Sequence, residues 1–397
     1  MNFFEKIKNA KKIIIANPGG IGDDIHLLPA LDVIRRSCPG VRFDLLASDG
    51  SKSMLSAIKG VDRVFTVKWS PRFKDRAKKR AERWRALKEV FSSDYDACID
   101  FRSSDATQLL LIASRASVRL AVSCIYWDVK RPRIYTDIVR QSWVNESSYQ
   151  FMLKGLDGAG FDTSGAFMGP HLLPDSLKPN HEYIGCIHVS LCTSADCREL
   201  PIPVARYLVE QLCRRYPGKK VLITVMPTER EKAMVDSVVV GLTYNNLDVA
   251  VGRFDVLELL QVMLAADVHI GPDTGTVHMA WLCGTPSVSW YLNHETLAAW
   301  IPRGARHTVL VSSLEQSRKA SQISGVSADD LLDAVADNLA SDGRQLPILG
   351  APVMKFLVPQ VDADDPVAGA NNWFGSRFDE VAGRLPISHH AGTHESS

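Results

Sequence analysis

The strongest constraint on the fold is a strand, turn and helix pattern that runs through the first half of the chain and then restarts. Its first unit is a β-branched run at 12–16, a Gly-rich turn at 17–22 and apolar residues at helical spacing from Leu27. Such alternation predicts parallel sheets with helices on both faces. A polar segment with two prolines at 174–183 reads as a linker.

The chain is therefore expected to form two Rossmann-like α/β domains. Its 397 residues exceed the size of one hydrophobic core, which stops growing near ~250–300 residues. We place an N-terminal domain at 1–178, a C-terminal domain at 179–345 and a partly irregular extension at 346–397. Ligands of open parallel sheets bind beyond the carboxyl ends of the strands, so the cleft between the domains is the expected active site.

Composition excludes some classes of protein but names no partner. With 46% hydrophobic and 23% charged residues and a net charge of +1, the chain resembles neither a disordered nor a fibrous protein. No apolar run approaches the ~18 residues of a membrane span, and the N-terminal one is too short for a signal peptide. These features predict a cytoplasmic protein.

The eight cysteines are scattered, which favours reduced, mostly buried thiols. Four residues could be read as a zinc site, although their spacing matches no common zinc framework. They are Cys186, His188, Cys192 and Cys197.

The turn after the first strand carries a candidate general base. Glycines at 19, 20 and 22 allow close approach of a ligand, and Asp23 could take a proton from a sugar hydroxyl. Pro29 lacks a ladder N–H, so the regular helix is expected to begin nearer Leu27 or to be kinked, with Asp23 on the turn. The alternative is that Asp23 or Asp24 only caps the helix.

Two later strand ends carry candidate ligands for a nucleotide. Asp273-Thr274-Gly275-Thr276 lies between a predicted strand and a helix start, where free N–H groups and hydroxyls suit a pyrophosphate. His278 follows in the first turn, unless it is a structural histidine. Glu229, after another strand, could accept hydrogen bonds from a ribose, or could only complement the helix dipole.

A basic segment at 68–88 contains ten Lys or Arg against two acidic residues. This density suggests contact with phosphates or an anionic membrane surface, although an ordinary basic helix is possible. We find no motif for binding nucleic acid.

Five segments in order resemble glycosyltransferase family 9, the heptosyltransferases. They are GGIGDDIHLLPAL at 19–31, YDACIDFRSS at 95–104, HVS and RELP within 188–201, MPTERE at 226–231 and GPDTGTVHMAWLCGTP at 271–286. The resemblance implies a GT-B architecture and inverting, metal-independent transfer of heptose from ADP-heptose to a lipopolysaccharide core or related glycan. The resemblance implies that the reaction uses no cofactor. It also implies an anionic glycan or glycolipid acceptor, and it allows peripheral contact with the inner membrane.

The resemblance also implies roles for individual residues. Asp23 matches the catalytic base, and Arg198 stands where the family usually has a lysine that binds the donor phosphates. The full donor set is Ser190, Arg198, Glu229, Asp273, Thr274, Gly275, Thr276 and His278. The residues assigned to the acceptor are Gly20, Gly22, Arg72, Lys79 and Arg80.

Three alternatives stay open at this point. The first is transfer of another sugar, or transfer to a protein. The second is a nicotinamide-dependent oxidoreductase, with Asp49 as the later acid, but Asn17 stands where the first glycine of the dinucleotide fingerprint belongs. The third is a non-catalytic paralogue that only binds a sugar nucleotide.

Overall fold

The computed structural model describes residues 1–66, 76–124, 129, 131–141, 146–194, 196–294, 297–340, 349 and 351–357. The elements of the first half are α1 (Phe3–Ile7), β1 (Lys12–Ala16), α2 (Ile21–Ser37), β2 (Arg42–Ala47), α3 (Lys52–Ala57), β3 (Val61–Thr66), α4 (Arg76–Phe91), β4 (Ala97–Asp100), α5 (Asp105–Ala113), β5 (Val118–Cys124), β6 (Asp137–Gln141) and α6 (Ser148–Gly158).

The second half repeats the alternation. Its elements are β7 (Ile187–Val189), α7 (Ile202–Arg215), β8 (Val221–Val225), α8 (Glu229–Val239), β9 (Leu247–Val251), α9 (Val256–Ala265), β10 (Val268–Pro272), α10 (Gly275–Cys283), β11 (Ser287–Asn293), α11 (Leu297–Trp300), β12 (His307–Ser313), α12 (Leu314–Ala320), α13 (Ala328–Ala340) and β13 (Val353–Phe356).

The two halves have the same strand order. The first sheet runs β3-β2-β1-β4-β5-β6 and the second runs β9-β8-β7-β10-β11-β12-β13. All of these pairings are parallel. This is the Rossmann order, built twice, with one further strand at the edge of the second sheet. The predicted fold class is confirmed.

The central strands explain why the sheets are covered on both faces. Ile13, Ile14 and Ile15 of β1 are all buried, although neighbouring side chains of a strand point to opposite faces. β1 pairs with β2 on one side and with β4 on the other. A continuous β-branched run is what a strand in the middle of a parallel sheet requires.

The helix after β1 begins earlier than the sequence predicted. α2 starts at Ile21, not near Leu27, and includes Pro29. The Asp23 carboxylate accepts a hydrogen bond from the backbone N–H of the N-cap residue, Gly20, so the helix is already initiated when the chain reaches the proline. Asp23 therefore lies in the first turn of the helix and not on the preceding turn.

The segment beyond residue 345, assigned from the sequence to an extension, contributes a strand to the second sheet. β13 pairs in parallel with β12, and Val353 lies opposite Thr308. A short amphipathic stretch that the sequence suggests at 372–385 lies outside the described residues. The linker at 174–183 ends in a short 3-10 helix, His181–Tyr183.

The two halves share one apolar cluster, which forms the floor of the cleft. Ile25 and Leu28 of α2 belong to the same cluster as Leu260 of α9 and Trp281 of α10. This packing holds the start of α2 next to the start of α10. None of the helices that the structure describes has the length and apolar character needed to span a bilayer.

Candidate active site between the two sheets

A cavity of about 870 Å³ lies between the carboxyl edges of the two sheets. Its walls come from α2 of the first half and from the ends of β7 to β10 in the second. Most of the residues predicted for the site come together here. Those lining the cavity are Gly20, Gly22, Asp23, Ser190, Arg198, Asp273, Thr274, Gly275, Thr276 and His278.

Asp23 faces this cavity with a carboxylate that is held on both oxygens. Oδ2 accepts a hydrogen bond from the backbone N–H of Gly20 at 2.6 Å, and Oδ1 forms an ion pair with Arg102. The side chain is 17% exposed. Asn17 donates from Nδ2 to the carbonyl of Asp23 at 2.9 Å. Asp23 thus caps the helix, as one interpretation held, and also borders the cavity, as the other required.

Arg102 is a site residue that sequence reasoning did not single out. The buried carboxylate of Asp100 accepts from the backbone N–H groups of Arg102 and Ser103 at 2.9 and 2.8 Å, which fixes the loop after β4. A Cβ atom at Gly19 would lie 2.4 Å from Nη2 of Arg102, so the guanidinium lies directly on the glycine turn. The sequence DFRSS at 100–104 could have indicated a role for Arg102, but the partner of Arg102, Asp23, lies 79 positions earlier in the chain.

Asp24 has no part in the cavity. Its side chain is fully buried and Oδ2 accepts from the N–H and the hydroxyl of Ser48, at 3.1 and 2.5 Å. Burial raises the pKa of Asp24 to about 7. The second carboxylate of the Asp-Asp pair therefore ties α2 to the end of β2.

The start of α10 offers backbone donors to a ligand. Its N-cap residue, Thr274, makes no side-chain hydrogen bond to the backbone N–H groups of the helix, and its hydroxyl lies 3.0 Å from that of Thr276. The first-turn N–H groups of a helix lack intrahelical acceptors and carry partial positive charge. Arg198 adds a cation here, with Nη1 3.0 Å from both the carbonyl and the carboxylate of Asp273. Together these groups can hold a diphosphate.

Two glycines allow the starts of α2 and α10 to meet. A Cβ atom at Gly22 would lie 2.6 Å from Cδ2 of His278, and one at Gly275 would lie 3.2 Å from Cβ of Ile21. His278 is almost fully buried, with Nε2 3.9 Å from Oδ1 of Asp273. Burial lowers the pKa of His278, against the opposite effect of Asp273 and Asp23, so the ring is neutral near pH 7.

Glu229 lies apart from the other predicted donor residues. It is exposed at the start of α8 and is not among the residues that line the cavity. Glu231, two positions later, does line the cavity and accepts from the N–H of Met226 at 3.2 Å. Burial raises the pKa of Glu231. Beyond it, Phe254 and Leu259 give this part of the cavity an apolar wall suited to a nucleobase.

The predicted acceptor cations are only partly described. Arg72 lies outside the described residues, and Lys79 and Arg80 belong to α4, whose side chains there are likewise outside the description. A second cavity of about 380 Å³ at the same edge of the first sheet is lined by Lys52 and Arg85, among others.

The zinc hypothesis finds no support in the described part of the chain, which contains no group of three or more His, Cys, Asp or Glu residues placed to hold a metal ion. His188 instead lies with Nδ1 2.8 Å from Nδ1 of His269 and with Nε2 2.9 Å from the hydroxyl of Thr224. Cys192 and Cys197 are free thiols, and Cys186 is buried.

Comparisons with known proteins point to one family. Residues 173–325 match the family model described as glycosyltransferase family 9 (heptosyltransferase). Lipopolysaccharide heptosyltransferase 1 of Salmonella typhimurium is 23% identical over 293 residues, which are 70% of this chain and 88% of that protein. The Pseudomonas aeruginosa protein of the same name is 24% identical over 70% of this chain and 78% of its own length.

Solved structures share the fold. The Escherichia coli heptosyltransferase WaaC with ADP superposes with a TM-score of 0.68 at 17% identity, covering 82% of this chain and 99% of that one. The Escherichia coli ADP-heptose lipopolysaccharide heptosyltransferase II gives a TM-score of 0.64 at 13% identity, over 83% of this chain and 99% of the other.

Proposed function

We propose that this chain, whose residues 173–325 match the model of glycosyltransferase family 9, transfers heptose from ADP-heptose to the core of lipopolysaccharide or a related glycan. One observation carries the proposal: a carboxylate of the first domain and an open helix start of the second face the same cavity. The first can act as a base and the second can bind a diphosphate. A glycosyltransferase needs both within one site.

In the proposed reaction, the Asp23 carboxylate takes the proton of the acceptor hydroxyl as its oxygen attacks the anomeric carbon of the donor sugar. The bond from that carbon to the diphosphate breaks, and ADP leaves with the electron pair. One displacement of this kind inverts the anomeric configuration. The product's anomeric proton coupling, measured by NMR, tests this step.

The charge that develops on the leaving diphosphate would be stabilised by Arg198 and the N–H groups at the start of α10. These groups are fixed before the donor binds, because Arg198 is held by Asp273 and by Ser194. We expect Arg198→Ala to lower kcat, and we expect the rate of the intact enzyme to be unchanged by EDTA.

Two adjacent carboxylates supply a matched pair of variants for testing the base. Asp23→Asn should lower kcat by about 10²- to 10⁴-fold, because it removes the proton acceptor, and should still bind ADP. Asp24→Asn changes a neighbouring residue whose side chain is buried against Ser48, and it should retain turnover. Equal turnover in both variants would contradict the assignment of Asp23 as the base. Binding of ADP without any turnover, in the wild type as well as in the variants, would favour a non-catalytic, sugar-nucleotide-binding protein.

The donor is tested by measuring nucleotide release from ADP-heptose, UDP-sugars and GDP-sugars in the presence of glycan, glycolipid and protein acceptors. Fastest release from ADP-heptose with a lipopolysaccharide core acceptor is the expected result. A preference for UDP-sugars would contradict the heptose assignment, and a preference for a protein acceptor would contradict the glycan assignment.

The first domain offers cationic groups for an anionic acceptor. α4 contains seven Lys or Arg residues against two Glu, and Lys52 and Arg85 line the neighbouring cavity together with Asp49 and Glu89. Positive charge gathered beyond the carboxyl edge of a sheet attracts phosphates and carboxylates to the site. We expect Lys52→Ala with Arg85→Ala to raise KM for the acceptor and leave KM for the donor unchanged.

The same domain has a surface suited to peripheral contact with a membrane. Trp84 and Phe91 of α4 are 62% and 57% exposed, and Leu109 and Ile112 of α5 are both 51% exposed. Apolar side chains flanked by basic ones favour binding to an anionic lipid surface. Flotation with vesicles containing phosphatidylglycerol should therefore recover the protein, and Trp84→Ser with Ile112→Ser should reduce recovery.

A further inference from the structure

Two buried histidines join the domains directly behind the candidate site. His26 on α2 and His278 on α10 have exposures of 0% and 3%, and Nε2 of the first lies 3.1 Å from Nδ1 of the second. Aromatic rings enclose the pair, with Trp281 5.5 Å from His26 and Trp300 6.0 Å from His278 between ring centroids. No role in the proposed reaction has yet been given to His26.

The direction of these hydrogen bonds follows from one backbone group. The N–H of Tyr149 lies 3.2 Å from Nδ1 of His26, and a backbone N–H can only donate. This N–H is in the first turn of α6, where the helix itself supplies no acceptor. Nδ1 of His26 is therefore an acceptor. Burial lowers the pKa of His26 well below its usual value, so the ring is neutral and its single proton is on Nε2.

The proton on Nε2 of His26 determines the tautomer of His278. It is donated to Nδ1 of His278, which must then be the unprotonated nitrogen. Because His278 is also neutral, its own proton is on Nε2. That nitrogen lies toward Asp273, and the ring borders the cavity beside Gly22.

We infer that His26 is a positioning residue that holds His278 as the Nε2–H tautomer, so that His278 offers an N–H donor to an oxygen of the bound sugar nucleotide. The inference rests on the proposed function for the identity of that ligand. The opposite tautomer of His278 would turn a lone pair toward a diphosphate and would leave one pair of donors facing each other. That pair is Nε2–H of His26 against Nδ1–H of His278 or, if His26 changes tautomer as well, the N–H of Tyr149 against Nδ1–H of His26. The first domain thereby sets the hydrogen-bonding state of a side chain in the second.

The tautomer is observable directly. Long-range ¹H–¹⁵N spectra of the full-length protein, labelled on histidine and saturated with ADP, distinguish a protonated Nε2 from a protonated Nδ1. The His278 signals are assigned by their loss in His278→Gln. We expect the Nε2–H pattern for both His26 and His278. A protonated Nδ1 on His278 would overturn the inference.

Two substitutions at His26 separate hydrogen bonding from packing. In His26→Gln, the amide oxygen can accept from Tyr149 and the amide nitrogen can donate to His278, so the Nε2–H pattern of His278 and most of kcat should be retained. In His26→Leu, neither bond forms, His278 should show a mixture of tautomers, and kcat should fall by about 10- to 100-fold. KM for the donor should change less than kcat.

Trp281→Phe is the control for loss of packing, because Trp281 touches the His26 ring without a hydrogen bond to it. If Trp281→Phe lowers kcat as much as His26→Leu at a similar loss of thermal stability, or if His26→Leu leaves the His278 tautomer unchanged, the inference is wrong. The NMR comparison needs only ADP. If no donor is turned over, the proposed function fails and the tautomer result still decides the role of His26.

Discussion

Asp23 and Asp24 are adjacent in the sequence but have different surroundings. Asp23 forms an ion pair with Arg102 at the edge of the cavity, whereas Asp24 is buried and one of its oxygens, Oδ1, has no hydrogen-bond partner among the described residues. Burial without a cation makes the charged form unfavourable. This explains why the pKa of Asp24 is raised to about 7.

Asp24 should therefore weaken the fold at high pH. Its carboxyl group ionises near pH 3.8 in the unfolded chain but only near pH 7 in the folded one, so the stability associated with its neutral form is lost as the pH rises between these values. The full shift corresponds to roughly 4 kcal/mol. Asp24→Asn should unfold at a higher temperature than the wild type at pH 8, and this difference should disappear near pH 4. A difference in unfolding temperature that does not change with pH would contradict the raised pKa of Asp24.

Glu229 and Glu231 allow a test of the nucleoside contact. Of the two, Glu231 lines the cavity and Glu229 is exposed outside it. If the ribose diol is bound by Glu231, Glu231→Gln should raise the dissociation constant for ADP by about 10-fold, the effect of losing one hydrogen bond to a charged group. Glu229→Gln should leave it unchanged. Calorimetric titration of both variants with ADP measures the two dissociation constants. A larger effect of Glu229→Gln than of Glu231→Gln would support the role that the sequence predicted for Glu229.

At the level of residues, the sequence revealed side chains that stand beside glycine turns at strand ends. Asp23 and the 273–276 segment were predicted this way, Arg198 was assigned from the family resemblance, and all line the cavity. Arg102 and His26 were missed because their importance comes from partners 79 and 252 positions away. Local patterns carry no information about such pairs.

The helix starts are the elements that bring the two domains together. α2 and α10 approach so closely that a Cβ at Gly22 would overlap the ring of His278. That ring is buried between His26 and Trp300, so it has little room to move aside. The short distance between the proposed base and the proposed diphosphate site depends on this contact.

Gly22→Ala should therefore strain the domain contact. We expect a loss of about 1–3 kcal/mol in the free energy of unfolding, the usual cost of overpacking. Gly20→Ala is the control, because a Cβ there would meet only Oδ2 of Asp23 at 3.6 Å, an ordinary contact. Thermal unfolding followed by circular dichroism measures both. Equal midpoints for the two variants would show that the helix starts can separate without cost.

Elements were predicted well where one signal dominated. β1 has a continuous β-branched sequence and lies where it was expected. β5, β6, β12 and β13 were not predicted. β6 and β13 are edge strands, which are partly solvated, and Asp137–Gln141 and Val353–Phe356 show no continuous apolar run. The start of α2 was misplaced because the Asp23 carboxylate accepts from the N–H of Gly20 and initiates the helix ahead of Pro29.

On the scale of the whole molecule, the duplicated Rossmann order was predictable because parallel strands, connecting helices and right-handed crossovers leave few topologies. The contact between the halves was not predictable. This contact depends on which apolar helix faces of the two halves pack against each other, as Leu28 and Trp281 do within one cluster.

The second sheet contains a row of buried histidines that should make the protein sensitive to acid. His188, His269 and His307 lie on β7, β10 and β12 and are fully buried. Burial lowers the pKa of His188 and of His307 to about 3, against 6.5 in an unfolded chain. As the pH falls below 6.5, the unfolded state binds protons that the folded state does not, so each histidine lowers stability by up to about 1.4 kcal/mol per pH unit.

The substitution His307→Asn tests the contribution of one of these histidines to the acid sensitivity. Nδ1 of His307 lies 2.8 Å from the hydroxyl of Ser287, and an asparagine amide can replace that contact without titrating. The variant should be less stable than the wild type at pH 7.5 because it loses packing, but the difference should narrow between pH 6.5 and 4.5, as measured by urea unfolding at each pH. Parallel stability curves for the wild type and His307→Asn would mean that His307 is protonated equally in the folded and unfolded chains, and the acid sensitivity would have to come from other groups.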